Sequence, residues 1–170
     1  KVNGTKRTAL VVDPPDGRVP APSESAVARY VSARDLWARS PEGPEDRNPF
    51  DRCIKGFNAG PPMTSGAYNN IMQIVESEDF VAMQVEMVND HRIIPTNSRD
   101  QLPEHMRFWK GDSRGQWNDD SFVVTTTNFN EHQMFRLTGS NLTLTERFTR
   151  LDLDTMEYQF TVDDPDTYDI

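Results

Sequence analysis

The stretch that decides the fold is residues 142–162, LTLTERFTRLDLDTMEYQFTV. Apolar and polar side chains alternate along both of its halves, and both halves are rich in threonine and aromatic residues, which favour strands. Residues 151–154, LDLD, separate the halves and are suited to a turn. Because successive side chains of a strand point to opposite faces, the pattern predicts an antiparallel β-hairpin.

One residue of this hairpin, Glu146, breaks the alternation. It stands in register with Leu144 and Phe148, so it is predicted to point inward among apolar side chains. A buried carboxylate is costly unless it is paired. Glu146 is therefore either a general acid or base, or a ligand anchor in a barrel mouth, or the partner of an arginine such as Arg92 or Arg114. If that face lies at a sheet edge, Glu146 is simply solvated.

The N-terminal third has a different composition from the rest. Nine of the twelve prolines fall within residues 1–62, which predicts an irregular arm without a core of its own, followed by a β domain over residues 63–170. Within the arm, residues 8–12 are predicted to form a short strand and residues 23–39 a helix capped by Ser23. Its expected apolar face consists of Val27, Tyr30, Val31 and Trp37.

The β domain contains several further runs typical of strands. Strands are predicted at 70–76, 80–88 and 91–94, and a hairpin from 116 to 129. Residues 103–110 are predicted to form a short helix and residues 111–115 a glycine-containing loop. The fold class is therefore mainly β: an antiparallel meander of about seven or eight strands forming a partial barrel or sandwich, with a proline-rich N-terminal arm and one or two short helices.

Charge and cysteine content limit the partners and cofactors. Residues 1–60 carry ten Lys and Arg against eight Asp and Glu, whereas residues 61–170 carry eight against nineteen. This acidic body argues against nucleic acid or an anionic membrane as partner. The mildly basic arm could lie across the acidic body, or contact a neighbouring subunit and form an oligomer. No window approaches the roughly 18 apolar residues of a membrane span. Cys53 is the only cysteine and is expected to be buried, and no cofactor or metal signature is present.

Four motifs together resemble a known family. Residues 109–117 (WKGDSRGQW), 121–129 (SFVVTTTNF), 146–150 (ERFTR) and 162–165 (VDDP) are similar to a family of exported β-rich bacterial proteins with no established activity. The similarity extends from residues 11–17 (VVDPPDG) to Tyr168. It implies an extracytoplasmic protein, periplasmic or secreted, and it implies no reaction. Asn89 stands where relatives tend to have His, and 118–120 (NDD) where Glu-Gly-Asp is common.

Two further groups are candidate site residues. A Glu86–His91 pair, with Arg92 beside it, could transfer protons at neutral pH, although such groups are often solvated cross-strand pairs. Arginine and tryptophan side chains near the glycine loop could wall a pocket, although tryptophans more often pack in a core. The candidate ligand-binding residues are Arg92, Trp109, Arg114, Trp117 and Asn128.

Two classes of function follow. The first is an extracytoplasmic β-sheet binding module or accessory subunit, acting on a protein partner or a small-molecule ligand. The second is a small lyase, isomerase or hydrolase using Glu146, or Glu86 and His91, in a barrel-mouth pocket. A pocket of several hundred Å3 that contains Glu146 would favour a ligand or catalysis. A filled interior with apolar surface on the arm would favour a subunit.

Overall fold

A computed structural model describes residues 9–132 and 135–168 of the chain. Within these residues there is one α-helix, α1 (Glu24–Ala38), and there are two short 3-10 turns, Pro44–Asp46 and Met87–Asn89. The strands are β1 (Met72–Glu76), β2 (Phe80–Val85), β3 (Asp90–Pro95), β4 (Asp112–Asn118), β5 (Ser121–Thr127), β6 (Thr143–Arg150) and β7 (Met156–Asp163).

The strands form two antiparallel sheets. Their orders are β1-β2-β3 and β4-β5-β6-β7, so each sheet is a meander in which neighbours along the chain are also neighbours in space. Strands β3 and β4 lie next to each other where the chain passes from one sheet to the other. The described residues form no closed barrel. The mainly β, antiparallel fold predicted from the sequence is confirmed, and the two sheets are consistent with the sandwich-like alternative.

The core lies between the two sheets. Six buried apolar side chains pack into one cluster, and the sheets contribute equally to it: Val81, Met83 and Ile94 from the first, and Phe122, Val124 and Phe148 from the second. Each strand supplies alternate residues because side chains leave a strand on opposite faces. Two sheets that share one cluster in this way bury their inner faces against each other.

The hairpin predicted over residues 142–162 is confirmed by β6 and β7. Leu144 lies opposite Val162 and Phe148 lies opposite Tyr158, as the alternation requires. Leu142, Leu144, Glu146 and Phe148 are all buried, so their shared face is the inner one. Glu146 therefore points into the interior, as its register predicts.

Several predicted strand and helix boundaries are wrong. β2 ends at Val85, not Val88, because the chain turns through Met87–Asn89, where Val88 has a left-handed φ of 52°. Residues 111–115 are not a loop, since β4 begins at Asp112. β1 begins at Met72 rather than at residue 70, and residues 9–12 form no strand. The predicted strand's Thr8 lies outside the described residues.

The predicted helix over residues 103–110 is also wrong. The side-chain amide of Asn128 donates hydrogen bonds to the carbonyl oxygens of Leu102, Pro103 and Met106, at 3.0, 3.0 and 3.2 Å. Three carbonyls turned toward one side chain cannot also follow the regular hydrogen-bond ladder of a helix. The segment is therefore held as a series of turns against the end of β5.

α1 forms where it is predicted, but it buries a different face. The Ser23 hydroxyl accepts a hydrogen bond from the Ala26 N–H and so caps the helix. Arg29 donates to the Leu137 carbonyl and to the Thr167 hydroxyl, which holds the side bearing Ala26 and Arg29 against the body. The expected apolar face is wrong because Val27, Tyr30 and Val31 are exposed.

The end of the arm enters the core. Residues 56–63 are called the plug segment here. Six of them are buried, residues 56 and 58–62, whereas Phe57 is exposed. Ala59 packs with Val85 and Met87 beside the first sheet, and Met63 packs against the shared core cluster. Cys53, just before this segment, is exposed rather than buried as expected, because it lies in a surface turn.

Gly115 sets how closely the sheets approach. A Cβ built on Gly115 would lie 2.3 Å from Cζ of Phe122 and 3.0 Å from Cγ2 of Ile94, a side chain of the opposite sheet. Gly115→Ala is expected to lower the free energy of unfolding by about 1–3 kcal/mol through overpacking, measured by urea unfolding. Gly43→Ala is the control, because its new methyl would meet only the mobile end of Glu45. Equal stability of the two variants would contradict this account of the packing.

Candidate functional site

A buried ion pair joins the two sheets. Arg92, on β3, donates through Nη2 to Oε2 of Glu146 at 2.7 Å and through Nη1 to Oε1 at 3.2 Å. The Arg92 side chain is 7% exposed and that of Glu146 is 0% exposed. This parallel two-bond geometry is the strongest that an arginine and a carboxylate adopt. The sequence left Arg92 and Arg114 as alternatives, and the partner is Arg92.

Polar side chains around the pair satisfy most of its remaining hydrogen-bonding groups. The Tyr158 hydroxyl donates to Oε1 of Glu146 at 2.7 Å and accepts from the backbone N–H of Met63 at 3.0 Å. Arg92 Nη2 also donates to the hydroxyls of Ser113 and Thr126, at 3.2 and 3.5 Å. Burial raises the pKa of Tyr158, and the neighbouring carboxylate raises it further, so this hydroxyl keeps its proton.

This arrangement restricts what Glu146 can do chemically. A general acid or base must reach the substrate proton directly or through one water molecule. Glu146 has no exposed surface, and both of its oxygens accept hydrogen bonds from Arg92 or Tyr158. The geometry therefore favours the structural ion pair over the catalytic interpretation of this residue.

The second predicted pair is not brought together. Glu86 lies after the end of β2, at the start of the 3-10 turn, whereas His91 is exposed and lies opposite Gln84. No hydrogen bond or ion pair joins Glu86 to His91 among the described residues. The carbonyl of His91, and not its ring, takes part in the local network, as an acceptor from Lys110 at 2.8 Å.

The remaining predicted binding residues are dispersed. Trp109 precedes β4 and lies near Arg52 and His132, whereas Trp117 lies near the other end of β4 and packs on Phe122. The two tryptophans thus occupy opposite ends of one strand and do not wall one pocket.

Arg114 and Asn128 hold loops. Arg114 bonds the carboxylate of Asp112 and the carbonyls of Arg99 and Asp100, while Asn128 binds the 102–106 segment described above. Both side chains have their polar atoms engaged with the protein itself. Arg92, in contrast, lines a small cleft.

Three charged residues near the buried pair were not predicted. Lys110 donates to a carboxylate oxygen of Asp90, and the two form an ion pair. Lys55, just before the plug segment, lies within electrostatic range of Asp90, Arg92 and Lys110. Burial lowers the pKa of Lys55 to about 8, and the neighbouring cations lower it while Asp90 acts in the opposite direction. Because these residues come from distant parts of the chain, no spacing in the sequence associates them.

A small cleft opens beside these charges. Its roughly 200 Å3 of empty space includes open solvent, and the part that the protein encloses has room for about one water molecule. It is lined by Ala59, Met63, Met83, Val85, Asp90, His91 and Arg92. Glu146 does not line it, so the cleft is not the Glu146-containing pocket that would favour catalysis.

Metal sites and membrane spans were sought in the same part of the chain. Over residues 9–132 and 135–168, no three His, Cys, Asp or Glu side chains are grouped so that they could hold a metal ion. None of the helices in these residues combines the length and apolarity needed to cross a bilayer.

Comparisons with known proteins identify no relative: no family model, curated protein or solved structure matches the chain.

The buried pair generates a prediction about stability. Arg92→Met or Glu146→Leu alone leaves one charge unpaired in the interior, and each is expected to lower the free energy of unfolding by about 3–5 kcal/mol. The double variant is expected to lose much less than the sum, because two apolar side chains then replace the pair. Urea unfolding of all four proteins measures the coupling.

The surface pair Arg39–Asp46 provides the control cycle. Its coupling energy is expected to stay below about 1 kcal/mol, because the Arg39 side chain is 58% exposed and water screens the interaction. Additive losses in the Arg92–Glu146 cycle, or equal coupling in the two cycles, would show that the buried pair does not act as a unit.

Lys55 generates a prediction about pH. Below pH 8 the folded protein holds a charged ammonium in a poorly solvated place, whereas the unfolded chain solvates it fully. Between pH 8 and the ordinary lysine pKa of about 10.4, the folded state binds fewer protons than the unfolded state, so stability rises with pH through this window. Lys55→Met is therefore expected to be more stable than the wild type at pH 7, by about 1–3 kcal/mol, and the advantage is expected to shrink by pH 9.5.

Urea unfolding of both proteins at pH 7, 8.5 and 9.5 measures this difference. Taking the difference between the two proteins removes the contribution of Tyr158, whose raised pKa acts at higher pH in both. A difference in stability that does not change with pH would contradict the lowered pKa.

Proposed function

We propose that this protein is a non-catalytic accessory subunit or binding module outside the cytoplasm, and that it associates with a protein partner through the end of its N-terminal arm and the segment directly after it. The single observation that carries the proposal is an exposed aromatic pair, Phe57 and Tyr68, held on a rigid backbone next to the core. The resemblance of the sequence motifs to exported proteins supports the location.

The aromatic pair is exposed yet ordered. Phe57 is 46% exposed and Tyr68 is 60% exposed, and their rings meet edge to face with centroids 5.7 Å apart. Such pairs carry a large apolar area, and aromatic side chains lose little conformational entropy when a partner covers them. Residues of this kind are enriched among those that dominate binding at interfaces.

The backbone beneath the pair is fixed by the buried Asn58. Its side-chain amide donates to the carbonyls of Tyr68 and Asn69, at 3.2 and 2.9 Å, and to the side chain of Asn70. Phe57 itself lies between the buried residues Gly56 and Asn58. Both rings are thus presented from segments that are already ordered, which lowers the entropic cost of binding.

More apolar surface lies along the same part of the chain. Ile71, three residues after Tyr68, is largely exposed. Exposed apolar side chains that lie close together are typical of interaction surfaces. The filled interior and the apolar arm together match the features that favour a subunit.

The enzymatic alternative has less support. Glu146 is enclosed and its oxygens are bonded, and Glu86 and His91 are apart. Neither candidate group therefore offers an accessible acid or base to a substrate.

Site-specific crosslinking tests the proposal. A photoreactive phenylalanine analogue is placed at Tyr68 in the protein expressed in its native host, and a second protein carries the analogue at Leu153 as a control. Leu153 is 85% exposed on the turn between β6 and β7, away from the arm in sequence. We expect one discrete protein adduct at position 68 and none of that adduct at position 153.

The partner identified in this way is then purified and titrated against the variants. Tyr68→Ser is expected to weaken binding about 30-fold, as removing a central aromatic anchor costs about 2 kcal/mol. Its fold should survive because the core contact at this position is made by the backbone carbonyl. Leu153→Ser should change the affinity less than about twofold. The absence of an adduct at position 68, or equal affinities of the two variants, would refute the proposal.

A further inference from the structure

β1 leaves one edge of the first sheet open. It is an outer strand in the order β1-β2-β3, and within the described residues no backbone group outside that sheet bonds to Met72, Ile74 or Glu76. Residues 73–76 are all exposed. β1 has five residues, an ordinary strand length, and it contains neither proline nor lysine, which commonly block a sheet edge. An open edge of this kind is a template for another strand.

The ladder between β1 and β2 shows which backbone groups of β1 point outward. The Glu86 N–H donates to the Ile71 carbonyl at 2.9 Å, just before β1 begins. The Ser77 N–H donates to the Phe80 carbonyl at 2.9 Å, just after β1 ends. Bonded pairs alternate along an antiparallel ladder, so residues 73 and 75 also bond to β2. The N–H and C=O groups of residues 72, 74 and 76 therefore face the open side of the strand.

This open edge continues the apolar surface around the aromatic pair. β1 begins at Met72, shortly after Tyr68, and Ile71 between them is 72% exposed. Within the strand, Ile74 is 37% exposed and Val75 is 49% exposed. A protein that covers Tyr68 and Ile71 therefore lies next to the outward backbone groups of β1.

The other end of β1 is acidic. Glu76, Glu78 and Asp79 are exposed, and none of them forms an ion pair within the described residues. The whole chain has a net charge of −9. A second copy would bring the same excess of negative charge to this edge, and like charges oppose association. A segment that carries lysine or arginine is the complementary occupant.

We propose that the partner protein adds an extended strand of its own to the open edge of β1. Its backbone bonds to the outward groups of residues 72, 74 and 76, its apolar side chains pack on Ile74 and Val75, and a lysine or arginine lies beside Glu76 and Glu78. In strand addition, main-chain hydrogen bonds supply affinity and alternate side chains supply specificity. This inference rests on the proposed function, because it states how the same partner is held.

Crosslinking from β1 tests this binding mode separately from the aromatic pair. The photoreactive phenylalanine analogue is placed at Val75, in the same host and beside the same Leu153 control. We expect an adduct with the partner that position 68 captures. No adduct at position 75, or an adduct with a second copy of this chain, would overturn strand addition even where position 68 gives its adduct. Loss of the adduct at position 68 alone would refute the proposed function instead.

Hydrogen exchange, followed by NMR on the wild-type protein, identifies the binding mode. In the free protein the amides of residues 72, 74 and 76 exchange fast, whereas those of residues 73 and 75 are bonded to β2 and exchange slowly. With the purified partner, we expect exchange at the three outward amides to slow at least about 10-fold, so that the alternation along β1 disappears. An alternation that persists in the complex would overturn the proposal, because an interface made by side chains leaves those amides free.

Two matched pairs of variants complete the test. Ile74→Pro removes one outward N–H, which an edge strand tolerates, and is expected to weaken partner binding at least about 10-fold. Ile74→Val keeps that N–H and should change the affinity less than about twofold. Glu78→Gln is expected to weaken binding about threefold, whereas Glu131→Gln, at a carboxylate that is 74% exposed elsewhere on the chain, leaves it unchanged.

Equal affinities of the folded Ile74→Pro and Ile74→Val proteins would overturn the proposal. Equal affinities of Glu78→Gln and Glu131→Gln would overturn the basic residue assigned to the partner strand. The exchange measurement uses the wild-type protein, so it decides the binding mode even if the proline variant fails to fold.

Discussion

The rest of the structure depends on one buried ion pair, in which each sheet contributes one charge. Removing an arginine and a glutamate from water is costly, and neither tolerates burial alone. β3 and β6 must therefore come together in the one alignment that lets Arg92 meet Glu146 with two hydrogen bonds. Apolar packing between sheets has no comparable directionality, since the hydrophobic effect depends on area and not on orientation. The pair thus fixes how one sheet lies on the other.

The parts of the fold that could be predicted are those with local causes. The β6–β7 hairpin follows from side chains that alternate over residues 142–162, and the start of α1 follows from Ser23. The buried face of α1 could not be predicted, because Arg29 is drawn to acceptors more than 100 residues away, at Leu137 and Thr167. Residues 111–115 contain two glycines, which suggest a loop, whereas Gly115 is required within β4 for Phe122 to pack.

The same limit applies to the site. The inward position of Glu146 could be inferred from register alone, but the choice of Arg92 over Arg114 depends on how β3 and β6 meet in space. Nothing in the sequence indicates that Lys55 lies near the buried pair, because its charged neighbours come from β3 and from Lys110 near β4. The sequence also grouped Glu86 with His91, although a change of backbone direction at Val88 separates them. Long-range packing, and not residue type, determines each of these outcomes.

The plug segment links the surface of the protein to its interior. Its Phe57 is exposed, while the backbone N–H of its Met63 is bonded to the hydroxyl of Tyr158, which in turn reaches Glu146. If a partner displaces Phe57, the movement therefore passes through a few residues of backbone to the hydrogen bonds around the carboxylate of Glu146. Displacing the plug segment would break the hydrogen bond between Met63 and Tyr158 and would admit water to Glu146 and Arg92. The interior would then open to water whenever the end of the arm is displaced, so the two changes would occur together.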